Sequence, residues 1–365
     1  MTQAHVVVVG GGYGGVTVAK QLDSVADVVL VEEKDAFVHA VATLRAVVDE
    51  AWEDRVFFPY DRLLTRGRVV HDTARTVTPT SVHFSPTESI EADYLVLATG
   101  TAYPFPAKFI ESDAWVAKAR MVRLREALGQ ARRVLLVGGG PVGVELAGEL
   151  TSAFPELGVT IVDQEKDILT TGDFMPAVRD SIREQLLARG VELVLGAPLG
   201  FLPPMDVGRL QDFTVRTTTG VEIEAQLWFR CYGNRPMTEY LAPALRGARR
   251  EDGTLRVTDH LNVKGFERVF AIGDITDVRE AKRADAARAH GAVVARNITD
   301  LIAGRAPGVT YTPPPERVVL PLGPHGGASQ LLDEDGRRRF LGPERTSELK
   351  GADLLGGLMS EQFRR

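Results

Sequence analysis

Residues 134–149 read VLLVGGGPVGVELAGE. Four apolar residues run into three glycines, a proline and a fourth glycine, and then into the apolar spacing of a helix. That order fits a strand that turns sharply into a helix. Residues 6–15, VVVVGGGYGG, have the same layout. The glycines are spaced G-x-G-x-x-G in both. They are Gly10, Gly12 and Gly15 in the first turn, with Gly14 beside the last, and Gly138, Gly140 and Gly143 in the second. In such a turn the first Gly permits the bend. The second leaves room for a pyrophosphate, and the third lets helix and strand pack closely. Phosphates placed there meet unpaired N–H groups and the positive end of a helix dipole. A lone motif of this kind is weak, but here each copy follows a strand pattern and precedes a helix. Each also has an acid at the end of the next strand. Glu32, with Glu33 beside it, lies 22 residues after Gly10, and Asp163 lies 25 after Gly138. A carboxylate there accepts hydrogen bonds from ribose hydroxyls.

The repeat extends beyond the turns. After the first, TSVHFSPTES (80–89) reads as a strand and a polar turn, and ADYLVLATG (92–100) as an apolar strand closing at Gly100. After the second, DFTVRTTTGVEIEA (212–225) reads as a hairpin with Thr219-Gly220 at its tip, and LWFRCYG (227–233) closes at Gly233. Turn and closing glycine are 90 residues apart in the first unit and 95 in the second. This predicts two related βαβ units, each with a small antiparallel excursion. NVKGFERVFAIGDITD (262–277) occurs once and has no glycine turn of its own. It therefore completes the first unit, with the second inserted. ADAARAHGAVVARNIT (284–299) follows as a helix with Ala287, His290, Val294 and Ile298 on one face. The prolines of YTPPPE (311–316) then open a last segment. The expected fold is α/β: two Rossmann-like dinucleotide-binding domains of the three-layer ββα type, plus a C-terminal α+β segment. The expected boundaries are 1–105 and 236–310 for the first domain, 106–235 for the second, and 311–365 for the C-terminal segment.

Composition narrows the function. The 365 residues are 44% apolar and 25% charged, with a net charge of −6 and no extended basic block, so nucleic acid is not an expected partner. Cys231 is the single cysteine, which excludes an intramolecular disulfide, a CxxC redox pair and a thiolate zinc site. No metal site is expected. No segment approaches the ~20 apolar residues of a membrane-spanning helix. The opening residues lack an export signature, and Thr2 stands where N-myristoylation needs Gly. The expected location is the cytoplasm, with peripheral contact at a membrane left open.

Two dinucleotide sites on one chain suit FAD in one and NADH or NADPH in the other, with the two rings meeting between the units. The Gly273-Asp274 element decides which site holds which. A carboxylate at a strand end can bind the ribitol hydroxyls of FAD, and NAD has no ribitol. Because this element completes the first unit, Gly10–Gly15 is assigned to FAD. The alternative for Asp274 is an acid stabilised by a helix N-terminus. Asp163 would repel a 2′-phosphate and so favours NADH, although Lys166 nearby can compensate. Thr99 and Gly100, small residues ending a strand, should pass close to FAD. A charge at Lys282 near the flavin edge would stabilise the reduced ring, a solvated lysine being the alternative. Arg45 reads either as a contact to the FAD phosphates or as a surface ion pair. Cys231, on an apolar strand, reads as core.

With these residues in view, the chain resembles the two-dinucleotide flavoprotein oxidoreductases. It is most similar to their apoptosis-inducing-factor-like and ferroptosis-suppressor-like branch. The matching stretches are LVEEKDAFVHAVATLRA (30–46), ATGTAYPFPAKF (98–109), VGGGPVGVELAGEL (137–150) and AIGDITDVREAKRADAARAHG (271–291). The resemblance implies FAD, oxidation of NAD(P)H and reduction of a quinone. It also implies that Glu145, placed in the first turn of the second glycine helix, orients the nicotinamide, the other reading being a helix-dipole acid. His39 matches a family histidine and is either a ring contact or structural. The chain departs from the type II NADH dehydrogenases at AKRADAARAH (281–290), and from the usual Thr-Gly closing motif at Tyr232-Gly233. The lipid anchoring of the animal ferroptosis suppressor is not expected to carry over. The C-terminal segment is expected to cover the flavin, with Pro324, His325 and Gly326 in a loop of the acceptor pocket. KGADLLGGLMSEQF (350–363) is expected to form a short amphipathic helix against a membrane or a homodimer partner. Two rival functions remain: a reductase of a ferredoxin- or rubredoxin-like carrier, and an NADH-sensing flavoprotein that acts through partner binding.

Overall fold

Continuous Val- and Leu-rich runs suit strands buried on both faces, and they form two separate parallel sheets in the computed structural model, which describes residues 3–364. Thr2, on which the N-myristoylation expectation turns, lies outside the described residues. The first sheet has five strands in the order Val269–Ala271, Tyr94–Leu97, His5–Val9, Asp27–Glu32 and Arg68–His71, all parallel. The second has four, in the order Glu192–Val194, Gly158–Val162, Arg133–Val137 and Leu227–Arg230. Val269–Ala271 follows the whole second sheet in sequence but joins the edge of the first, so the second unit is inserted in the first. Val6, Val7 and Val8, like Leu135 and Leu136, are fully buried.

Five helices frame the glycine turns and the ground between the units: α1 (Tyr13–Leu22), α2 (Thr43–Ala46), α3 (Ala114–Gln130), α4 (Pro141–Ala153) and α5 (Pro176–Ala188). α1 and α4 leave the two glycine turns. The antiparallel excursions occur where the sequence predicts them. Ser81–His83 pairs with Thr76–Val77 and Ser89–Glu91, and Phe213–Arg216 pairs with Glu222–Ala225. The two connections between units pair with each other, Thr101–Ala102 against Arg235–Pro236. α3 begins shortly after the first of these connections.

The helix Ala284–Ile302 buries Ala287, His290, Val294 and Ile298. It crosses α1 at two glycines. A Cβ on Gly14 would stand 2.9 Å from the Ala287 carbonyl oxygen, and one on Gly291 would stand 2.8 Å from that of Gly14. The lack of a side chain at Gly14 is therefore required by helix packing.

The C-terminal segment is a three-stranded antiparallel sheet of Val318–Leu322, Gly326–Leu332 and Arg338–Leu341. It rests on the second unit. A Cβ on Gly148 of α4 would lie 2.5 Å from the Leu322 Cα, and the Gly327 N–H donates to Gln185 of α5 at 2.8 Å. Beyond it, residues 350–363 do not form the single helix expected. A π-helical turn, Ser347–Gly351, is followed by Leu354 and Leu355 with φ of +46° and +63°, and then by the helix Gly356–Gln362. Met359 and Phe363 pack into the core of the first unit, with the Phe363 ring tilted against that of Phe37, 4.8 Å between centroids. That apolar face is thus covered by the chain itself, while Leu355 and Leu358 stay exposed. The segment spans both units. Among the described residues, no helix is long and apolar enough to cross a membrane.

Candidate functional site

The two glycine turns are built alike in detail. Gly10 and Gly138 have φ of +103° and +115°, the left-handed region that favours glycine. A Cβ on Gly15 would stand 1.8 Å from the Gly10 carbonyl oxygen, and one on Gly143 2.0 Å from that of Gly138, so helix and strand need glycine to touch. The middle glycines differ. Gly12 and Gly140 have extended backbones, with φ of −73° and −74°, and a Cβ on either would meet no protein atom within 4 Å. Neither conformation nor protein packing demands glycine there. What a Cβ would fill is the space in front of each helix N-terminus, where free N–H groups and the helix dipole favour an anion such as a diphosphate.

Each strand-end acid reaches back to its own turn. Glu32 Oε2 accepts the Gly11 N–H at 2.5 Å, and Asp163 Oδ2 accepts the Gly139 N–H at 2.5 Å. Asp163 Oδ1 is held by the Glu165 N–H at 2.8 Å. Glu33, by contrast, is exposed and pairs with Lys34, so the acid next to Glu32 is not brought to the turn. Tyr60 donates to the Gly11 carbonyl at 2.8 Å, while in the second turn the Gly139 carbonyl accepts the Leu169 N–H at 2.9 Å.

Parallel pairing of Leu97 with Ala271 brings the ends of two strands together and sets Gly100 and Thr101 beside Gly273 and Asp274. Thr101 Oγ1 donates to Asp274 Oδ2 at 2.8 Å, and Lys108 Nζ lies 3.5 Å from the same oxygen while donating to Thr101 O at 2.9 Å. Lys108 belongs to the FPAKF stretch that marks the resemblance, yet no single-residue signal gave it a role. His290 fixes this corner from behind. Its Nδ1 accepts the Gly273 N–H at 3.0 Å, so Nε2 carries the proton and faces Glu280 Oε1 at 2.8 Å.

Between the units stands an ion pair. Glu145 of α4 meets Lys350 of the π-helical turn at 2.7 Å, and both side chains are mostly buried. Glu145 lies in the second turn of α4, not the first, so the helix dipole does not account for it. Lys350 is the residue the sequence missed. It lies 205 positions from its partner, with no motif of its own.

Other expected contacts are directed elsewhere. Arg45 does not reach the first turn: its guanidinium is buried and bonded to both carboxylate oxygens of Glu149 and to the Gly351 carbonyl. His39 is a fully buried tie. Its Nε2 donates to Leu354 O at 2.7 Å, so Nδ1 is the acceptor for the Tyr13 hydroxyl at 2.8 Å. Burial pushes its pKa down to about 4 and keeps it neutral. Lys282 Nζ donates to Thr276 O and Val278 O at 2.8 and 2.9 Å and braces the loop after Asp274. Burial lowers its pKa, and the nearby Asp274 charge opposes that. Thr99 turns its hydroxyl to Met237 O at 2.6 Å and ties the closing strand to the return connection. Gly100 has φ of +63° and Gly233 has φ of +100°. A Cβ on Gly233 would meet the Arg230 guanidinium at 2.5 Å, whereas one on Gly100 would meet nothing within 4 Å. Pro324 and His325 form the turn between two strands of the C-terminal sheet, where Gly326 already begins the second strand. Cys231 is buried, and burial pushes its thiol up to about 12, so it stays protonated.

Two α/β units, each with a glycine turn and an acid fastened to it, define the class of two-dinucleotide folds. The chain belongs to the pyridine nucleotide-disulphide oxidoreductase family, whose model matches residues 4–291, and within it to the branch of ferroptosis suppressor proteins and apoptosis-inducing factor homologues. It is 34% identical to ferroptosis suppressor protein 1 of Taeniopygia guttata, over 90% of this chain and 88% of that one. It is 30% identical to apoptosis-inducing factor homolog A of Dictyostelium discoideum, over 90% and 85%. Among solved structures it is similar to the sulfide:quinone oxidoreductase of Aquifex aeolicus. The TM-score there is 0.76 at 16% identity, covering 99% of this chain and 91% of that chain.

Proposed function

We propose that the chain is an FAD-dependent oxidoreductase that draws electrons from NADH or NADPH and delivers them to a quinone. The observation that carries this reading is the duplicated cradle. Gly12 and Gly140 each face a space that no protein atom claims, at a helix N-terminus and beside a carboxylate anchored to the same turn. FAD is assigned to the first turn because only that unit has the corner of Asp274, Thr101 and Lys108, which offers a carboxylate, a hydroxyl and an ammonium to a polyhydroxyl chain. The nicotinamide nucleotide is assigned to the second. Bound flavin supplies acceptance of a hydride and release of its electrons singly or as a pair.

The chain's own residues do the rest. The amide groups at the N-termini of α1 and α4 bind the diphosphates. Glu32 and Asp163 are held in place to accept ribose hydroxyls, and the Asp163 charge disfavours a 2′-phosphate, so NADH is the preferred donor. Glu145, steadied by Lys350, orients the nicotinamide amide where the units meet. Lys108 and Lys282 place positive charge on the Asp274 side. With Cys231 alone and its thiol protonated, no thiol relay intervenes between flavin and acceptor. Membership of the ferroptosis-suppressor branch supports a quinone as that acceptor.

The test is NADH oxidation by the purified protein with menaquinone and ubiquinone analogues, a ferredoxin and oxygen compared side by side. Quinones should sustain the fastest turnover. A protein that takes up no flavin, or whose flavin stays oxidised under anaerobic excess NADH and NADPH, would end the reading.

A further inference from the structure

Three pieces of chain meet at Arg45: its own helix α2, and α4 and the π-helical turn, which carry the Glu145–Lys350 pair of the proposed nicotinamide site. The guanidinium is buried. Nε and Nη2 grip the two carboxylate oxygens of Glu149, Nη2 at 2.9 Å from Oε1, and Nη2 also donates to the Gly351 carbonyl at 2.9 Å. The Trp52 ring lies 5.2 Å from the guanidinium carbon. Glu149 is one helical turn beyond Glu145 on the same face of α4. Gly351 directly follows Lys350. One guanidinium therefore holds the neighbour of each member of the Glu145–Lys350 pair.

We propose that Arg45 is a positioning residue: it fixes the π-helical turn of the C-terminal segment against α4 so that Lys350 meets Glu145. This rests on the reading of Glu145 as the residue that orients the nicotinamide. Three observations carry it. The donors of a guanidinium have fixed directions, so binding Glu149 and Gly351 O together sets their relative placement, which a lysine's single ammonium cannot do. The turn needs such a restraint, since two left-handed leucines, Leu354 and Leu355, follow two residues after it. Stability alone is a weak reason for a buried ion pair, because well-packed apolar residues commonly replace one without loss.

That last point supplies the test. Arg45→Lys, Arg45→Met and the double variant Arg45→Met/Glu149→Leu are compared with wild type as flavin-loaded proteins, each with and without Lys350→Met. Melting temperature reports folding, and stopped-flow with NADH reports flavin reduction. Hydrogen–deuterium exchange of residues 347–354 reports the turn directly. The double variant is expected to melt near wild type, to exchange faster in 347–354 alone, and to reduce its flavin at least about tenfold more slowly at saturating NADH. Lys350→Met should then cost little more, because Lys350 is already misplaced. Arg45→Lys should share the fast exchange and the slow reduction; it reads the same quantities if the double variant folds poorly. Wild-type exchange in 347–354, a wild-type reduction rate, or a full additional loss from Lys350→Met would overturn the proposal. If wild-type protein itself is not reduced by NADH or NADPH, the proposed function fails first and the positioning role falls with it.

Discussion

Replacing Lys350 by methionine keeps most of the length of the side chain and removes its charge from Glu145. Both groups are less than one-fifth exposed, at 17% and 18%, and the pair is 2.7 Å long with a second, weaker anchor at Val319 O. Solvent-exposed pairs contribute ~0.2–1 kcal/mol, while breaking a fully buried pair costs ~3–5 kcal/mol. A pair of intermediate burial belongs between them, near the ~1.5–3 kcal/mol of a hydrogen bond to a charged group. At ~1.4 kcal/mol per tenfold, that corresponds to a loss of about ten- to hundredfold if Glu145 must be held in place while the nicotinamide reacts. The assay is anaerobic stopped-flow reduction of the flavin over a range of NADH concentrations. The limiting rate should fall by that factor with a smaller change in apparent affinity, and Lys350→Arg, which keeps the charge, should recover part of it. A rise in the NADH requirement at an unchanged limiting rate would show that the pair contributes binding only. An unchanged limiting rate in Lys350→Met would refute the reasoning that places this pair at the reacting ring.

Three further outcomes rest on single residues. Gly12→Ala and Gly140→Ala have room and an ordinary backbone, so each apoprotein should melt at or slightly above wild type, by up to ~1 kcal/mol. FAD uptake should fail in the first and NADH binding in the second, by titration; Gly15→Ala, with its Cβ 1.8 Å from Gly10 O, should not fold normally. Asp163→Ser should move the kcat/KM ratio of NADH to NADPH toward NADPH by about tenfold or more, through loss of repulsion of the 2′-phosphate; an unmoved ratio would remove Asp163 from the ribose site. His39 has its folded pKa depressed to about 4, so the stability it contributes is fully present above its unfolded value of ~6.5 and is lost as pH falls toward 4. The melting advantage of wild type over His39→Gln should therefore shrink by about 2 kcal/mol between pH 7.5 and pH 5, and a pH-independent difference would contradict a neutral, buried His39.

Much of the fold was legible because its signals are local. A turn that needs left-handed glycine at Gly10 and Gly138, followed by an unobstructed helix start, is written in six consecutive positions. The alternation of buried strand, turn and acid repeats it. Even the insertion could be read, because Val269–Ala271 arrives without a glycine turn and can be satisfied only at the edge of an existing sheet. The hairpin at Thr219-Gly220 was equally local, with Gly220 at φ +92°. Gly14 sits inside the motif, and its lack of a side chain answers to the helix Ala284–Ile302. Local signals also misled. The apolar spacing of 350–363 suggested one helix, yet Met359 and Phe363 are drawn into the first core while Gly351 is held by Arg45. The chain between them bends through two left-handed leucines to satisfy both.

The site was harder to read for the same reason the C-terminal segment was. Charged side chains announce their partners only when spacing on one element brings them together, and here the pairings cross the chain. Arg45 meets Glu149 at a separation of 104, and Lys350 meets Glu145 at 205. Sequence left Arg45 between the FAD phosphates and a surface ion pair, because a cation near a glycine turn favours an anion without saying which one. The structure offers Arg45 a carboxylate instead, out of water, where an unpaired guanidinium would be far costlier to bury. Once α4 presents Glu145 and Glu149 on one face, two cations must come from elsewhere to make that face tolerable near a second anion. The first unit sends Arg45 and the C-terminal segment sends Lys350. The two carboxylates of one helix are thus balanced by cations from the other two parts of the chain, and all three parts converge at the place proposed above for the nicotinamide.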